Sequence, residues 1–81
     1  MSNEAIENGV RELLARIGKL DPGFSGEADI YRELGVKSAQ GLDLLLSLEE
    51  EFGITISDDA FGDARTVAKI VDLVAGLKGA A

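Results

Sequence analysis

The chain of 81 residues contains no cysteine, no histidine and no tryptophan, and it has a single proline and a single tyrosine. Without cysteine it can form neither a disulfide framework nor a thiolate metal site. Without histidine, none of its serines has a neighbouring imidazole that could activate it as a nucleophile. These absences argue against an enzyme that acts through its own nucleophile, and we predict no metal site.

The sequence also lacks recognisable targeting and membrane segments. No stretch approaches the roughly 20 apolar residues that a membrane span requires. Residues 1–7 carry acids, whereas a signal peptide begins with a basic segment that an apolar segment follows. A length of 81 residues suits one small domain. We therefore expect a single domain over residues 1–81, monomeric and located in the reducing cytoplasm.

The net charge of −7 is concentrated in one third of the chain. Residues 38–64 include seven acids and no lysine or arginine, whereas eight acids and eight basic residues balance elsewhere. This surface disfavours a nucleic-acid partner and complements a basic protein surface. A solvated acidic face without a partner and loose binding of divalent cations are the open alternatives. The seven acids are Asp43, Glu49, Glu50, Glu51, Asp58, Asp59 and Asp63.

Apolar residues at helical spacing predict an amphipathic helix over roughly the first eighteen residues. Ser2 suits the N-cap of this helix and Gly18 its end. A long loop over residues 19–37 follows. Such loops in compact domains are usually functional or are held by their own apolar side chains. The residues that could anchor this loop, as one helical turn, are Ile30, Tyr31 and Leu34.

The second predicted helix runs from about Ser38 to Phe52 and ends at Gly53. On this helix Leu42 and Leu46 lie at the edge of the apolar face. The core-facing residues are Gly41, Leu44, Leu45, Leu48 and Phe52, and the outer surface carries Asp43, Glu49 and Glu50.

A short third helix is predicted to begin at residues 57–59, and Thr66 is expected to cap the last helix. No strand pattern competes with these helices. The predicted fold class is therefore all-α: three main helices, one short third helix and a long first loop.

Four segments between Leu34 and Val67 form one motif pattern. They are Leu34-Gly35-Val36-Lys37-Ser38-Ala39, Leu48-Glu49-Glu50-Glu51-Phe52-Gly53-Ile54, Ile56-Ser57-Asp58 and Thr66-Val67. This pattern resembles, without any insertion, that of the acyl and peptidyl carrier proteins, which are marked by Leu-Gly-x-Asp-Ser-Leu at the start of the second helix, Leu-Glu-x-x-Phe near its end, and Thr-Val at the start of the last helix. The resemblance covers nearly the whole chain and implies a four-helix carrier-protein bundle.

The resemblance implies that Ser38 carries 4′-phosphopantetheine through a phosphodiester, installed from coenzyme A by a phosphopantetheinyl transferase. The thiol of this arm would hold acyl or aminoacyl groups as thioesters, so the sulfur that the chain lacks arrives with the cofactor. The further partners implied are an acyl- or aminoacyl-loading ligase and synthase or transferase enzymes with basic docking patches. The docking residues implied by position are Lys37, Ala39, Asp43, Leu46, Glu49, Glu50 and Asp58.

Several residues depart from the family pattern. Lys37 stands where the family usually has Asp, and Ala39 replaces Leu. Gly41 lies inside a helix at a cost of about 1 kcal/mol relative to Ala, which indicates that the arm or a partner packs closely there. These departures favour a specialised stand-alone carrier over the housekeeping carrier of fatty-acid synthesis. The pathway itself stays open among fatty-acid, polyketide, nonribosomal-peptide and related specialised biosynthesis. The alternative is an unmodified, carrier-like acidic interaction domain, in which Ser38 is only a helix N-cap.

Overall fold

The computed structural model describes residues 2–79, which form four α-helices and their connecting loops. The helices are α1 (Asn3–Gly18), α2 (Ser38–Phe52), α3 (Asp58–Asp63) and α4 (Val67–Gly79). No strand occurs between residues 2 and 79. The predicted all-α fold, with three main helices, a short third helix and a long first loop, is confirmed.

Hydroxyl side chains begin three of the helices. The Oγ atoms of Ser2 and Ser57 and the Oγ1 atom of Thr66 each accept a hydrogen bond of 3.2 Å from the main-chain N–H three residues later. Each bond satisfies an N–H group that the first helical turn leaves without a partner. The expected caps of α1 and α4 are therefore confirmed.

Both α1 and α2 end at a residue in the left-handed conformation, but this residue is a glycine only after α2. Gly53 adopts a left-handed conformation, with φ of 65°, after α2, as expected for a glycine. At the end of α1 the left-handed residue is Lys19, with φ of 55°, and Gly18 is still helical. Gly18 instead packs closely beneath the Leu20 and Val36 side chains, which brings the long loop against α1.

The core lies where α1 packs against both α2 and α4, and α3 packs against α4. Ile17 and Leu77 are only partly buried at its margin, and Leu42 and Leu46 lie outside it. The side chains with almost no exposure are Ile6, Val10, Leu14, Ile30, Leu44, Leu48, Val67, Ile70 and Val74. No helix within residues 2–79 is long and apolar enough to cross a membrane.

Arg11 holds the first half of the long loop. Its Nη1 donates to the carbonyl oxygen of Pro22 at 2.9 Å and to that of Phe24, and its guanidinium lies 5.0 Å from the centroid of the Phe24 ring. Nε pairs with the Glu7 carboxylate at 2.8 Å. One side chain of α1 therefore orders a stretch of the loop that has no regular structure.

The second half of the loop is anchored by Ile30, which is completely buried. Its N–H donates to the Arg65 carbonyl oxygen and its own carbonyl accepts from the Val36 N–H, both at 2.9 Å. The Glu33 N–H closes one helical turn onto the Asp29 carbonyl, so the predicted turn is present. This anchoring fixes the approach of the chain to α2.

Candidate functional site

Ser38 is exposed and is the first helical residue of α2. The N-cap position belongs to Lys37, whose backbone is extended (φ −85°, ψ 157°) and whose side chain cannot accept a hydrogen bond. The sequence placed Ser38 at the helix start correctly, but it is not the N-cap. Its hydroxyl is therefore not used to cap α2.

Gln40 fixes the start of α2 against the end of α1. Its Oε1 accepts from the Lys37 N–H at 2.9 Å, and its Nε2 donates to the Ile17 carbonyl oxygen at 3.0 Å. The first N–H to bond within α2 is that of Gly41, which donates to the Lys37 carbonyl. The N–H groups of residues 38–40 are thus free of helical acceptors, and such a positive helix end favours a phosphate anion.

Ser38 and Lys37 lie on an open groove of about 690 Å³ between α2, α3 and the loops that flank them. Its apolar lining comes from Val36, Leu42, Leu45 and Phe61. The main polar groups in it belong to Tyr31, Asp58 and Arg65. Ser38, the attachment residue that the resemblance implies, therefore lies beside a groove of mixed polarity.

Gly41 is buried on the wall of this groove against Tyr31. A Cβ atom at Gly41 would lie 2.6 Å from the Tyr31 hydroxyl oxygen, inside the contact distance of the two atoms. The glycine suggested close packing by the arm or by a partner. The structure shows instead that the tyrosine of the same chain occupies this space.

Arg65 joins the long loop to the segment before α4. Its Nε donates to the Asp29 Oδ2 at 2.8 Å, and its guanidinium lies 4.8 Å from the centroid of the Tyr31 ring. The hydrogen bond from Arg65, with those from the N–H groups of Arg32 and Tyr31, lowers the pKa of Asp29 to about 2. The same pairing raises the pKa of Arg65. Nothing in the sequence pattern indicates this cluster.

Most of the predicted docking residues lie on the surface. Leu46 is 55% exposed and its neighbour Leu42 is 58% exposed, so neither is a core residue. The other exposed docking residues are Lys37, Ala39, Asp43, Glu50 and Asp58. Within residues 2–79, the two ion pairs involve none of the seven clustered acids, and no cluster of three or more acidic side chains is placed to hold a metal ion.

Glu49 differs from the other predicted docking acids. It is partly buried, and its Oε2 accepts a hydrogen bond of 2.9 Å from the N–H of Ile56, a buried residue beyond the end of α2. The expectation that Glu49 lies on the outer surface is therefore only partly correct. This carboxylate holds the connection between α2 and α3.

Comparison with known proteins identifies the family. Residues 8–74 match the family model described as "Phosphopantetheine attachment site". The acyl carrier protein of Nitratidesulfovibrio vulgaris is 40% identical over 52 residues, which cover 64% of each protein. The mitochondrial acyl carrier protein of Saccharomyces cerevisiae is 28% identical over 80 residues, covering 93% of this chain and 64% of the relative. The chain spans less than two thirds of the length of these curated relatives.

Solved structures share the same fold. A protein from Mycobacterium tuberculosis assigned as an acyl carrier protein superposes with a TM-score of 0.81 and 28% identity, covering 88% of this chain and 96% of that one. The acyl carrier protein of Enterococcus faecalis superposes with a TM-score of 0.81 and 24% identity, covering 95% of this chain and 99% of that one. At this identity the similarity shows only that the fold is shared. The family match and the shared four-helix fold agree. The chain therefore belongs to the phosphopantetheine-carrying acyl carrier protein family, whose members are carriers and not enzymes.

Proposed function

We propose that this protein carries acyl or aminoacyl groups as thioesters on a 4′-phosphopantetheine arm attached to Ser38. The observation that carries the proposal is the state of Ser38: its hydroxyl is exposed at the first residue of α2, it caps no helix, and it lies within the matched residues 8–74. The arm supplies the thiol that the chain lacks.

The residues around Ser38 suit a phosphodiester. The free N–H groups of residues 38–40 offer hydrogen-bond donors at the positive end of α2, and the Lys37 ammonium adds a cation beside them. In the modification, Ser38 Oγ attacks the phosphoanhydride of coenzyme A, an O–P bond forms, and 3′,5′-adenosine diphosphate leaves. The hydroxyl proton passes to a base of the transferase, because the chain has no histidine.

The acidic surface of α2 and α3 supports a protein partner with a basic patch. Asp43, Glu50 and Asp58 are exposed, and Leu46 provides an apolar contact among them. Charge complementarity of this kind raises the encounter rate and fixes the docking register. We assign this surface to the phosphopantetheinyl transferase, the loading ligase and the synthase or transferase enzymes that use the carrier.

Lys37 supports a specialised pathway. Its cation lies at the positive end of α2, where a cation is electrostatically unfavourable, and no salt bridge within residues 2–79 compensates it. A partner or a phosphate that uses this charge explains its presence. We assign the carrier to specialised biosynthesis in the cytoplasm, with its own acyl- or aminoacyl-loading ligase.

Intact-protein mass spectrometry after co-expression with a broad-specificity phosphopantetheinyl transferase tests the proposal. The protein should gain the mass of one phosphopantetheine, and Ser38→Ala should abolish the gain while circular dichroism stays unchanged. Ser25→Ala is the matched control, because Ser25 is also exposed, and it should be modified normally. Attachment at another serine would overturn the assignment of Ser38, and no attachment with a competent enzyme would overturn the proposal in favour of the unmodified interaction domain.

A further inference from the structure

Lys19 adopts a backbone conformation that suits glycine better than lysine. It follows α1 with φ of 55° and ψ of 49°, and within residues 2–79 it is the only residue other than glycine with a positive φ. A residue with a Cβ atom is strained in this left-handed region, where glycine or asparagine is usual. A cation at this end of a helix is favourable, but Arg16 already supplies one in the last turn. The fold therefore does not require a lysine at position 19.

Lys37 is a second lysine that the fold does not favour. It occupies the N-cap of α2, where Ser, Thr, Asp or Asn would accept a hydrogen bond from the first turn. An ammonium group has no acceptor for such a bond, and its charge lies at the positive end of the helix. A different residue at this position would therefore stabilise α2.

The end of α1 and the start of α2 are joined by one side chain. Gln40 Oε1 accepts from the Lys37 N–H at 2.9 Å, and Gln40 Nε2 donates to the Ile17 carbonyl oxygen at 3.0 Å. The backbone of residue 37 and the last turn of α1 therefore lie on either side of a single amide group. This contact, made by residues 17–19 and 37–40, is termed the α1–α2 junction.

The α1–α2 junction presents two positive charges next to an acidic surface. Lys19 and Lys37 are both exposed, and neither forms an ion pair within residues 2–79. Farther along α2, Asp43 and Glu50 are exposed and negative. Like charges at one junction repel each other, which adds to the two local costs. Residues that break local rules in this way are expected at functional sites.

We infer that the loading enzyme of this carrier docks with a surface of both signs, in which a carboxylate faces Lys19 and Lys37 while basic residues face Asp43 and Glu50. This inference rests on the proposed carrier function. A partner whose docking surface is basic throughout is repelled at the α1–α2 junction, so the two lysines select against it. The acids of α2 alone would attract both kinds of partner.

The test uses the full chain and a phosphopantetheinyl transferase with a basic docking patch. A broad-specificity transferase first establishes, by intact mass, that the parent and every variant accept the arm. The kcat/KM for modification by the basic-patch enzyme is then measured for Lys19→Asn and Lys37→Asn. Asparagine removes the charge and suits both a left-handed residue and an N-cap, so neither variant should melt below the parent. Lys69→Asn removes the same charge from an exposed position on α4 and is the matched control.

Each junction variant should be modified roughly 2–5-fold faster than the parent at low ionic strength, the range of an exposed charge interaction. The gain should shrink as salt screens the charges, and Lys69→Asn should keep the parental rate. Each basic residue of the transferase patch is then replaced by glutamate, one at a time. One of these enzymes should modify the parent faster than the double asparagine variant, because its new carboxylate faces the two lysines.

Parental rates for both junction variants would overturn the inference, and so would an equal gain in Lys69→Asn, which would reflect net charge alone. Absence of any glutamate position that reverses the preference would also overturn it. If inorganic phosphate at constant ionic strength equalised the parent and variant rates, the lysines would bind a free anion instead of a partner's carboxylate. Failure of the broad-specificity transferase to modify the parent would overturn the proposed function itself, so the two failures are distinguishable.

Discussion

Replacing Glu49 by alanine should destabilise the domain much more than the same change at its neighbour Glu50. The Glu49 carboxylate accepts the N–H of buried Ile56 at 2.9 Å, whereas Glu50 is exposed and makes no such bond within residues 2–79. Hydrogen bonds to charged groups contribute about 1.5–3 kcal/mol to stability. Because Glu49 is only partly buried, we expect a loss of about 1–2 kcal/mol.

The loss corresponds to a decrease in Tm of roughly 5–15 °C for a domain of this size. Glu50→Ala removes the same charge from the same surface, so it reports any relief of acidic repulsion, and its effect should stay within about 0.5 kcal/mol. Glu49→Gln keeps an acceptor oxygen and should retain most of the stability. Thermal and urea unfolding, followed by circular dichroism at one fixed salt concentration, measures all three variants.

The amide of Ile56 provides a local readout. Its hydrogen exchange should accelerate in Glu49→Ala, because the N–H loses its acceptor, and should be unchanged in Glu50→Ala. Equal destabilisation by the two alanine variants would refute the assigned hydrogen bond. A Glu49→Gln variant as unstable as Glu49→Ala would instead show that the bond depends on the charge of the carboxylate.

Three further predictions concern charge. The pKa of Asp29 is lowered to about 2, against about 3.9 in the unfolded chain. The stabilisation from its pairing is therefore fully present above the unfolded value and is lost as the pH falls towards 2. The urea midpoint should decrease over this pH window, and Asp29→Asn should remove that decrease. The clustered acids should make Tm rise with NaCl and further with millimolar divalent cation, and a flat Tm would contradict the charge map. Lys37→Asp should weaken use by the dedicated loading enzyme and improve recognition by generic fatty-acid enzymes; equal rates with both sets would show that Lys37 has no role in recognition.

The helices and most of their ends could be predicted from the sequence because the interactions that fix them are local. Ser2 and Thr66 cap through bonds to N–H groups three residues later, and Gly53 ends α2 with a positive φ. The apolar spacing likewise identified the core, because a helix buries one face whatever its partner. The left-handed Lys19 was missed, since sequence preference points to the adjacent glycine.

The place of Ser38 at the start of α2 also followed from the sequence, but whether its hydroxyl caps that helix did not. A helix boundary shifted by one residue decides whether a serine caps the helix or leaves its hydroxyl free. The interaction between Gln40 and the Ile17 carbonyl joins residues 23 positions apart and fixes that boundary. The exposure of Leu42 and Leu46 was open for a related reason, because residues at the edge of an apolar stripe are buried only if a neighbour reaches them.

Three features of the site depended on the tertiary structure alone. Asp29 and Arg65 pair across 36 residues, Tyr31 fills the space beside Gly41, and Glu49 bonds the chain beyond its own helix. In the sequence these residues are only a charge, a ring or a small side chain. Which one meets which is set by how the helices and the long loop pack, because a side-chain contact needs a few ångströms of proximity that spacing along the chain cannot specify beyond one or two helical turns.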